Sequence, residues 1–349
     1  MIGGLVLIII LVVLLVVLLG KDDDDSNKLK GEINCEYRID DSSKKVNILG
    51  EEFVKGNNVF DILVNGEKIE YAQDYKFPNS GNNKVTFQLY SSLDMTNMFK
   101  DVTSLTSINL ISNANAQITS MKSSFENCEN LRDFEIKGFN IDNLKSSSKC
   151  FYNTAINNTN FDFFSSSKIE DMSFMFAFYD NELLNLSNFN TKYAKNMSYM
   201  FYGSRYLKTL DIEGFDTNNV EDMSGMFKDC VQLNAVDLKN IRTPKVMNMS
   251  SMFSGCHNLY VPDFSNFNTE NVIDMSYMFE DNEGNDHFNL TFFNTKNVKY
   301  MKGMFQECSS LTRITFSNFF TNLVEDFSYM FYNCFSLIYL DLSSFDTKN

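Results

Sequence analysis

The sequence is short of positive charge. It carries 30 Lys and Arg against 45 Asp and Glu, which gives a formal net charge of −15. Because binding to nucleic acid depends on clustered Lys and Arg that neutralise phosphates, nucleic acid is not an expected partner. An acidic surface instead favours cations or basic partners.

Catalytic signatures are also missing from the sequence. It contains no H-E-x-x-H, no G-x-S-x-G and no phosphate-cradling loop, and its two histidines, His257 and His287, stand at variable positions of different repeats. None of the seven cysteines forms a C-x-x-C pair, which argues against a zinc site. We therefore predict a protein that is not an enzyme and that holds no cofactor or metal.

Phenylalanine, in contrast, is abundant and periodic. Of the 34 Phe, a series recurs at intervals of 25 or 26 residues: Phe99, Phe125, Phe151, Phe176, Phe201, Phe227, Phe253, Phe279, Phe305 and Phe331. A fixed period between 20 and 50 residues indicates a stacked array of repeats rather than a globule with one private core. The array is predicted to span residues 93–349, in about ten units.

One unit of the repeat combines two hydrophobic patterns. Apolar residues follow steps of three and four from Val220 to Cys230, which predicts a short helical segment that Ser224 caps. Val236 and Leu238 are two residues apart, which predicts a strand. The predicted fold is an α/β solenoid, an array with a parallel β-sheet and short helical segments, in which each Met, Phe and Leu lies over its namesake in the next unit.

Residues 32–92 have a different texture, with short runs of alternating or β-branched apolar residues. The strongest local signal is a hairpin between Phe60–Val64 and Lys68–Tyr71, around Asn65-Gly66. We predict a small β-rich module that caps the first repeat, since a stacked array needs its end row covered. A ligand-binding module is the alternative.

The amino terminus predicts a membrane anchor. Ile2 to Leu19 are uninterrupted apolar residues and glycine, followed by the acidic run Asp22–Asp25. This length is at the short end of a bilayer span, and a basic start and a small-residue cleavage site are both missing. Residues 1–20 are therefore expected to form an uncleaved transmembrane anchor, and residues 21–31 an acidic tether.

Two signals conflict on the orientation of this single-pass protein. Lys21, Lys28, Lys30 and Arg38 follow the span, which directs the repeats toward the cytoplasm. Five Asn-x-Ser/Thr sequons favour an extracellular location, where they would be candidate glycosylation sites. They are Asn157, Asn185, Asn196, Asn248 and Asn289.

The cleanest unit of the repeat carries a recurring phrase, formed by Phe215, Asp216, Thr217, Asn219, Val220, Met223, Ser224, Met226, Phe227, Cys230 and Leu233. This phrase resembles the BspA-like leucine-rich repeats, in the 25 to 26 residue variety of bacterial and protist surface proteins. The units around Phe125, Phe151 and Phe176 depart from it by losing Met or Cys, and Asn282 replaces the Cys after Phe279. The resemblance implies a leucine-rich-repeat-like fold, cell-surface placement and a role in adhesion or recognition. It favours the extracellular orientation.

Aromatic residues at one variable position of the repeat are candidates for a partner-binding surface. They are Phe174, Tyr199, Tyr277 and Tyr329, each two residues before the periodic phenylalanine. Exposed aromatic side chains are frequent binding anchors. The alternative is that they cover the seams between units.

Two further positions have a structural and a chemical interpretation. Cys128, Cys230, Cys256, Cys308 and Cys334 share one position of the repeat. Buried free thiols are favoured there over disulfides between neighbouring units.

A second position of the repeat holds threonine in seven successive units: Thr191, Thr217, Thr243, Thr269, Thr295, Thr321 and Thr347. Their hydroxyls are expected to satisfy backbone groups of a turn, while the Asp or Asn before each leaves a calcium ladder as the alternative.

We expect a membrane-anchored cell-surface protein that recognises a protein or glycan through its repeats. The chain stops partway through a unit, at Asn349, which suggests a self-assembling structural scaffold as an alternative. The lysines that follow the apolar run leave a cytoplasmic, membrane-tethered scaffold as a third.

Overall fold

The structure, a computed structural model, describes residues 28–157, 161–260 and 263–346. The predicted anchor at residues 1–20 and most of the predicted tether lie outside these residues. Within the described part, no helix is both long and apolar enough to cross a bilayer.

The first strands form an antiparallel sheet whose buried residues alternate along each strand. The strands of this region are β1 (Gly31–Ile39), β2 (Val46–Asn47), β3 (Phe60–Val64), β4 (Glu67–Ile69), β5 (Asp74–Tyr75) and β6 (Gly81–Leu89). The predicted hairpin is confirmed, because β3 and β4 pair through Val64 and Glu67. Asn65 and Gly66 both adopt positive φ, at 49° and 89°, as a tight two-residue hairpin turn requires.

This sheet continues into the repeats without a break. The next strands are β7 (Leu93–Asp94), β8 (Leu105–Ile111), β9 (Ile118–Ser120) and β10 (Asp133–Lys137). The six-stranded sheet has the order β10-β8-β1-β6-β3-β4, in which β1 is antiparallel to β8 and β8 is parallel to β10. The strand of the first repeat is therefore hydrogen-bonded to β1 on one side and to the next repeat on the other. Where a domain boundary falls, near residue 92, stays a prediction.

The later strands pair in parallel, one repeat to the next. They are β11 (Leu183–Asn185), β12 (Thr209–Asp211), β13 (Ala235–Val236), β14 (His287–Asn294) and β15 (Arg313–Asn318). Leu210 lies opposite Val236, one repeat later. The predicted parallel pairing is thus confirmed, although the strands form separate small sheets.

The periodic phenylalanines stack as the repeat predicts, and we call them the phenylalanine ladder (Phe99, Phe125, Phe151, Phe176, Phe201, Phe227, Phe253, Phe279, Phe305 and Phe331). Neighbouring ring centroids lie between 5.4 and 6.1 Å apart, with the ring planes within 17° of parallel. Each repeat is therefore one row of a β-solenoid, and like residues lie above like. The stacked rings form the centre of a core that the buried methionines extend.

The predicted helical segment is wrong. Gly225 and Asp229 both have φ of 57°, in the left-handed region that interrupts an α-helix, and the segment consists of successive turns. Cys230 N donates to Phe227 O, three residues back, at 3.1 Å, whereas Phe227 N donates to Met252 O of the next row at 2.9 Å. Turns of this size reproduce the three-residue steps of the hydrophobic pattern, which is why the sequence suggests a helix. Among the described residues, the helical structure is one 3₁₀ helix, Phe161–Ser166.

The predicted Ser224 cap is also wrong, because Ser224 does not supply the capping oxygen. The side chain of Asp222 supplies it instead. Ser224 N donates to Asp222 Oδ1 at 2.8 Å, and the same bond recurs from Ser276 to Asp274. An Asp or Asn side chain that accepts from the residue two positions on forms an Asx turn. This turn opens the segment in most rows.

Candidate recognition surface

The predicted aromatic position is a left-handed backbone position in every row. The φ angles of Phe174, Tyr199, Tyr277 and Tyr329 lie between 55° and 61°. Left-handed backbone costs an L-residue roughly 1–2 kcal/mol, but glycine avoids that cost. The same position holds Gly225 and Gly303, each with φ of 57°. An aromatic residue therefore has an unfavourable backbone conformation at this position, and the contacts of its ring must offset that free-energy cost.

Two of the aromatic rings lie across the glycine of the next row. A Cβ atom added to Gly225 would come within 2.3 Å of Tyr199 Cε1, and one added to Gly303 would come within 2.5 Å of Tyr277 Cε1. The rings occupy the space that the missing side chains leave. This geometry fits the seam-covering interpretation for Tyr199 and Tyr277, while both rings stay partly accessible.

Five aromatic residues join into one continuous surface, which we call the aromatic strip (Tyr152, Phe174, Phe178, Tyr199 and Tyr202). All five are half-buried. Phe174 and Tyr199 stack with ring centroids 4.8 Å apart and planes 6° from parallel. Edge-to-face contacts of 5.2, 4.9 and 5.7 Å link Tyr152 to Phe178, Phe178 to Tyr202, and Tyr199 to Tyr202.

One cation accompanies the strip. Lys149 Nζ lies 5.5 Å from the ring centroid of Tyr152 and 5.9 Å from that of Phe174, within the range of cation–π attraction. The structure thus brings Phe174 and Tyr199 together. Tyr277 lies outside the strip, three rows after Tyr199. Tyr329, two rows later again, is 59% exposed and contacts the ring of Tyr332 at 5.6 Å.

Sequence reasoning missed Tyr152, Phe178 and Tyr202. They stand one or two residues after the ladder phenylalanine. Tyr152 and Tyr202 share a position that the other rows fill with Lys, Glu, Ala, Ser, Gln or Tyr, and Phe178 holds one that they fill with Asp, Asn, Gly or Glu. Phe178 occupies a second left-handed position of the repeat, with φ of 56°. An aromatic residue at a position otherwise held by Asn, Asp, Glu and Gly was the available signal.

The threonine position has the predicted structural role. Thr217 Oγ1 donates to Arg242 O at 2.6 Å and accepts from Arg242 N at 2.9 Å, so one hydroxyl satisfies both backbone groups of a residue in the next row. Asp216 Oδ1, the candidate calcium ligand beside it, accepts from Asn218 N at 3.1 Å. In the described part of the chain, no group of three or more metal-ligating side chains converges.

The cysteine position carries free thiols. Cys230 Sγ donates to Phe201 O of the preceding row at 3.1 Å, and Cys256 Sγ donates likewise to Phe227 O at 3.0 Å. Burial raises the pKa of the Cys308 thiol to about 12 and that of half-buried Cys334 to about 11. The thiols thus act as hydrogen-bond donors between rows, and they resist ionisation.

Four of the five sequons coincide with Asx turns of the repeat. The side-chain oxygens of Asn185, Asn196, Asn248 and Asn289 accept from the backbone N–H two residues on, at 2.9 to 3.2 Å. Equivalent positions in other rows hold Asp, as in Asp222 and Asp263, with the same bond. Turn chemistry therefore accounts for the recurrence of Asn at these positions. Asn157, Asn185 and Asn289 are exposed, whereas Asn196 and Asn248 are half-buried.

The two histidines occupy separate surroundings. His257 Nε2 lies 2.9 Å from Asp281 Oδ2, and His287 Nε2 lies 2.8 Å from Thr315 Oγ1. Partial burial, aided by the charge of Arg313, lowers the pKa of His287 below its ordinary value of 6.5. Each histidine bonds across to the following row, and the two do not share a site.

The stacked rows define the class of this protein as a β-solenoid of 25 or 26 residue repeats. Within that class, the chain belongs to the family described as "Mycoplasma protein of unknown function, DUF285", whose model matches residues 76–182, 170–288 and 258–349. The matches overlap and together run from residue 76, inside the β-rich module, to the last residue.

The chain is also similar to a solved structure of a leucine-rich repeat protein from Bacteroides ovatus. The two share 14% sequence identity over 82% of this chain and 75% of that chain, with a TM-score of 0.37. A superposition this loose does not establish a common fold, so the BspA-like variety of the repeat stays a prediction. No curated protein matches the chain.

Proposed function

We propose that this protein is a non-catalytic recognition or adhesion protein, which binds a protein or glycan through the aromatic strip. The observation that carries the proposal is the contiguity of five partly accessible aromatic rings, three of them (Phe174, Phe178 and Tyr199) in left-handed backbone positions. Unfavourable backbone of this kind is concentrated at functional sites, where surrounding structure holds it in place.

The solenoid supports this role by holding the strip rigidly. The strip's rings are carried by backbone segments hydrogen-bonded to both neighbouring rows: Tyr199 N donates to Ser224 O at 2.8 Å, and Phe174 N donates to Ser198 O at 3.0 Å. A preformed aromatic surface loses little conformational entropy on binding. Tyrosine is also among the residues that contribute most to binding energy at interfaces.

The test is a binding screen of the purified protein against glycan and protein arrays, with Tyr202→Ala as the probe variant. Tyr202→Ala is expected to weaken binding at least about tenfold, because it removes one ring of the strip. The melting temperature should stay close to that of the parent, because the ring of Tyr202 does not fill the space above a glycine of the next row. The matched control is Tyr260→Ala, because Tyr260 is 73% exposed and lies outside the strip. Equal binding by parent and Tyr202→Ala to every array ligand found would refute the assignment.

Placement at the cell surface, through an anchor at residues 2–19, belongs to the same proposal. It rests on the apolar run of the sequence and on the resemblance of the repeats to those of surface proteins. The exposed sequon residues Asn157, Asn185 and Asn289 support it as candidate glycosylation sites, although Asx turns also account for the recurrence of Asn at four of the five sequons. Protease treatment of intact cells tests it directly: repeats that stay intact until the membrane is broken are not outside.

A further inference from the structure

A column of exposed side chains six residues before the ladder phenylalanine runs along one edge of the solenoid. In chain order its charged and apolar members are Lys145, Glu170, Lys195, Glu221, Met247, Ile273, Lys299 and Glu325. The charges alternate in sign except at Met247 and Ile273, where two apolar residues stand between Glu221 and Lys299. We call the column the charge ladder and the two residues its apolar gap.

Direct backbone bonds show that these residues occupy consecutive rows. Met247 N donates to Glu221 O, Ile273 N to Met247 O and Lys299 N to Ile273 O, at 2.8 to 2.9 Å. Where the ladder is complete, the side chains pair: Glu170 accepts from both Lys145 and Lys195 at 2.7 Å. These two lysines lower the pKa of Glu170 to about 2.

At the gap, the ladder lacks the partners that alternation would supply. Met247 is 44% exposed and Ile273 is 38% exposed, so both apolar side chains face solvent where the other rows of the ladder carry charge. Among the described residues, Glu221 has no ion pair within 4.0 Å; its neighbour Lys195 bonds to Glu170 and reaches Glu221 through the weaker attraction of a more distant charge. Lys299 has one partner, Glu325 at 3.6 Å, and faces Ile273 on its other side.

The gap forms the centre of a shallow groove. Its second wall is the column two residues upstream, formed by Lys245, Asn271, Asn297 and Leu323. The amides of Asn271 and Asn297 donate to backbone carbonyls of the preceding rows, at 2.7 Å each. Because the backbone N–H groups of Met247, Ile273 and Lys299 already donate to the preceding rows, a partner cannot pair with this column as an added β-strand, and it must be recognised through side chains.

We propose that this groove binds an extended peptide segment whose side chains complete the charge ladder: a basic residue facing Glu221, an apolar residue over Met247 and Ile273, and an acidic residue facing Lys299. The spacing fits this occupant. Glu221 and Lys299 are three rows apart, on the order of 14 Å at the usual distance between hydrogen-bonded strands. Residues i and i+4 of an extended chain are about 13 Å apart and point to the same side, with residue i+2 between them.

The probes are labelled synthetic peptides with the core Lys-Thr-Leu-Thr-Glu, measured by fluorescence anisotropy. Control peptides carry Glu-Thr-Leu-Thr-Glu, Lys-Thr-Leu-Thr-Lys or Lys-Thr-Ser-Thr-Glu, and each is expected to bind at least several-fold more weakly. Equal binding of the charge-altered peptides, or no binding of the first peptide at concentrations of about 1 mM, would overturn the proposal.

The decisive protein variant is Met247→Lys/Ile273→Glu, which continues the alternation through the gap. Since both positions are exposed, we expect normal folding and an unchanged melting temperature, together with loss of peptide binding. Removing one charge from the far end of the complete stretch, Lys145→Met, is the control, because Glu170 keeps its bond to Lys195, and it should leave peptide binding intact. Peptide binding that survives Met247→Lys/Ile273→Glu would place the peptide elsewhere and refute the assignment.

A variant in the aromatic strip distinguishes the test of this proposal from the test of the proposed function. Tyr202→Ala is expected to leave peptide binding unchanged, because Tyr202 belongs to a different column of the repeat. A protein that binds the peptide but no array ligand through the strip would refute the proposed function and retain this one, and the reverse result would do the opposite.

Discussion

Removal of one ring from the middle of the phenylalanine ladder should cost much more stability than removal of the last ring. Phe227 is fully buried, and its ring lies 5.6 Å from Phe201 and 5.4 Å from Phe253. Truncating a buried Phe to Ala typically costs about 3–5 kcal/mol, and each aromatic pair contributes about 0.5–1.5 kcal/mol beyond burial. We expect Phe227→Ala to lose about 4 kcal/mol of unfolding free energy.

Phe331 provides the matched comparison. It is partly buried and stacks on Phe305 alone, at 5.7 Å, so Phe331→Ala is expected to lose about half as much, roughly 2 kcal/mol. Phe227→Leu, which keeps most of the volume and loses the stacking, should lose about 1–2 kcal/mol and serves if the alanine variant does not fold. Urea titrations followed by circular dichroism give the three values.

Because each row contacts only its neighbours, the damage should also be local. Hydrogen exchange of Phe227→Leu is expected to speed up in the rows of Phe201, Phe227 and Phe253, and to stay unchanged in the sheet around β1. Equal losses of stability at Phe227 and Phe331, or faster exchange spread evenly over the chain, would refute the picture of a ladder of rows.

Three further predictions concern single positions. Gly225→Ala should destabilise the protein by about 1–2 kcal/mol, because the new Cβ meets Tyr199 in left-handed backbone, whereas Ser251→Ala at the same position of the next row should change the melting temperature little. A thiol reagent at pH 8 should modify Cys334 first and the fully buried thiols only after unfolding; rapid modification of all seven in the native protein would contradict their burial. The carboxyl pKa of Glu170, followed by NMR, should lie near 2, because two lysines bond it. A carboxyl whose pKa is lowered on folding stabilises the protein above its unfolded pKa, so this contribution should be lost as the pH falls from about 4.5 toward about 2, and high salt should weaken it. An ordinary pKa for Glu170 would show that the two lysines do not bond it in solution.

The sequence predicted the stacking but not the local conformation of the segment Val220–Cys230. Steps of three and four residues are shared by a helix and by a series of three-residue turns, so the pattern alone does not separate them. What separates them is the destination of the N–H groups. Met223 N donates to Asn248 O, in the next row, at 3.0 Å, and such a partner 25 residues away does not show in any local pattern.

The predicted aromatic positions show a similar division. The sequence found Phe174 and Tyr199 because they share a position of the repeat, but Tyr152, Phe178 and Tyr202 stand at other positions. They join the strip because successive rows superpose and bring side chains about 25 residues apart into contact. The same superposition exposes the apolar gap, since only adjacent rows show that Met247 and Ile273 interrupt an alternation of charge.

By itself, the sequence determined the row length, the residues that stack and the hairpin at Asn65-Gly66, because a repeat in register and a turn that needs positive φ are both written in the order of residues. Only the tertiary structure decided the conformation within each row and the composition of its surfaces. The physical reason is that the hydrogen bonds and side-chain contacts of a solenoid run mainly between rows. The conformation of each row therefore depends on the neighbouring rows, and the local sequence of that row does not show it.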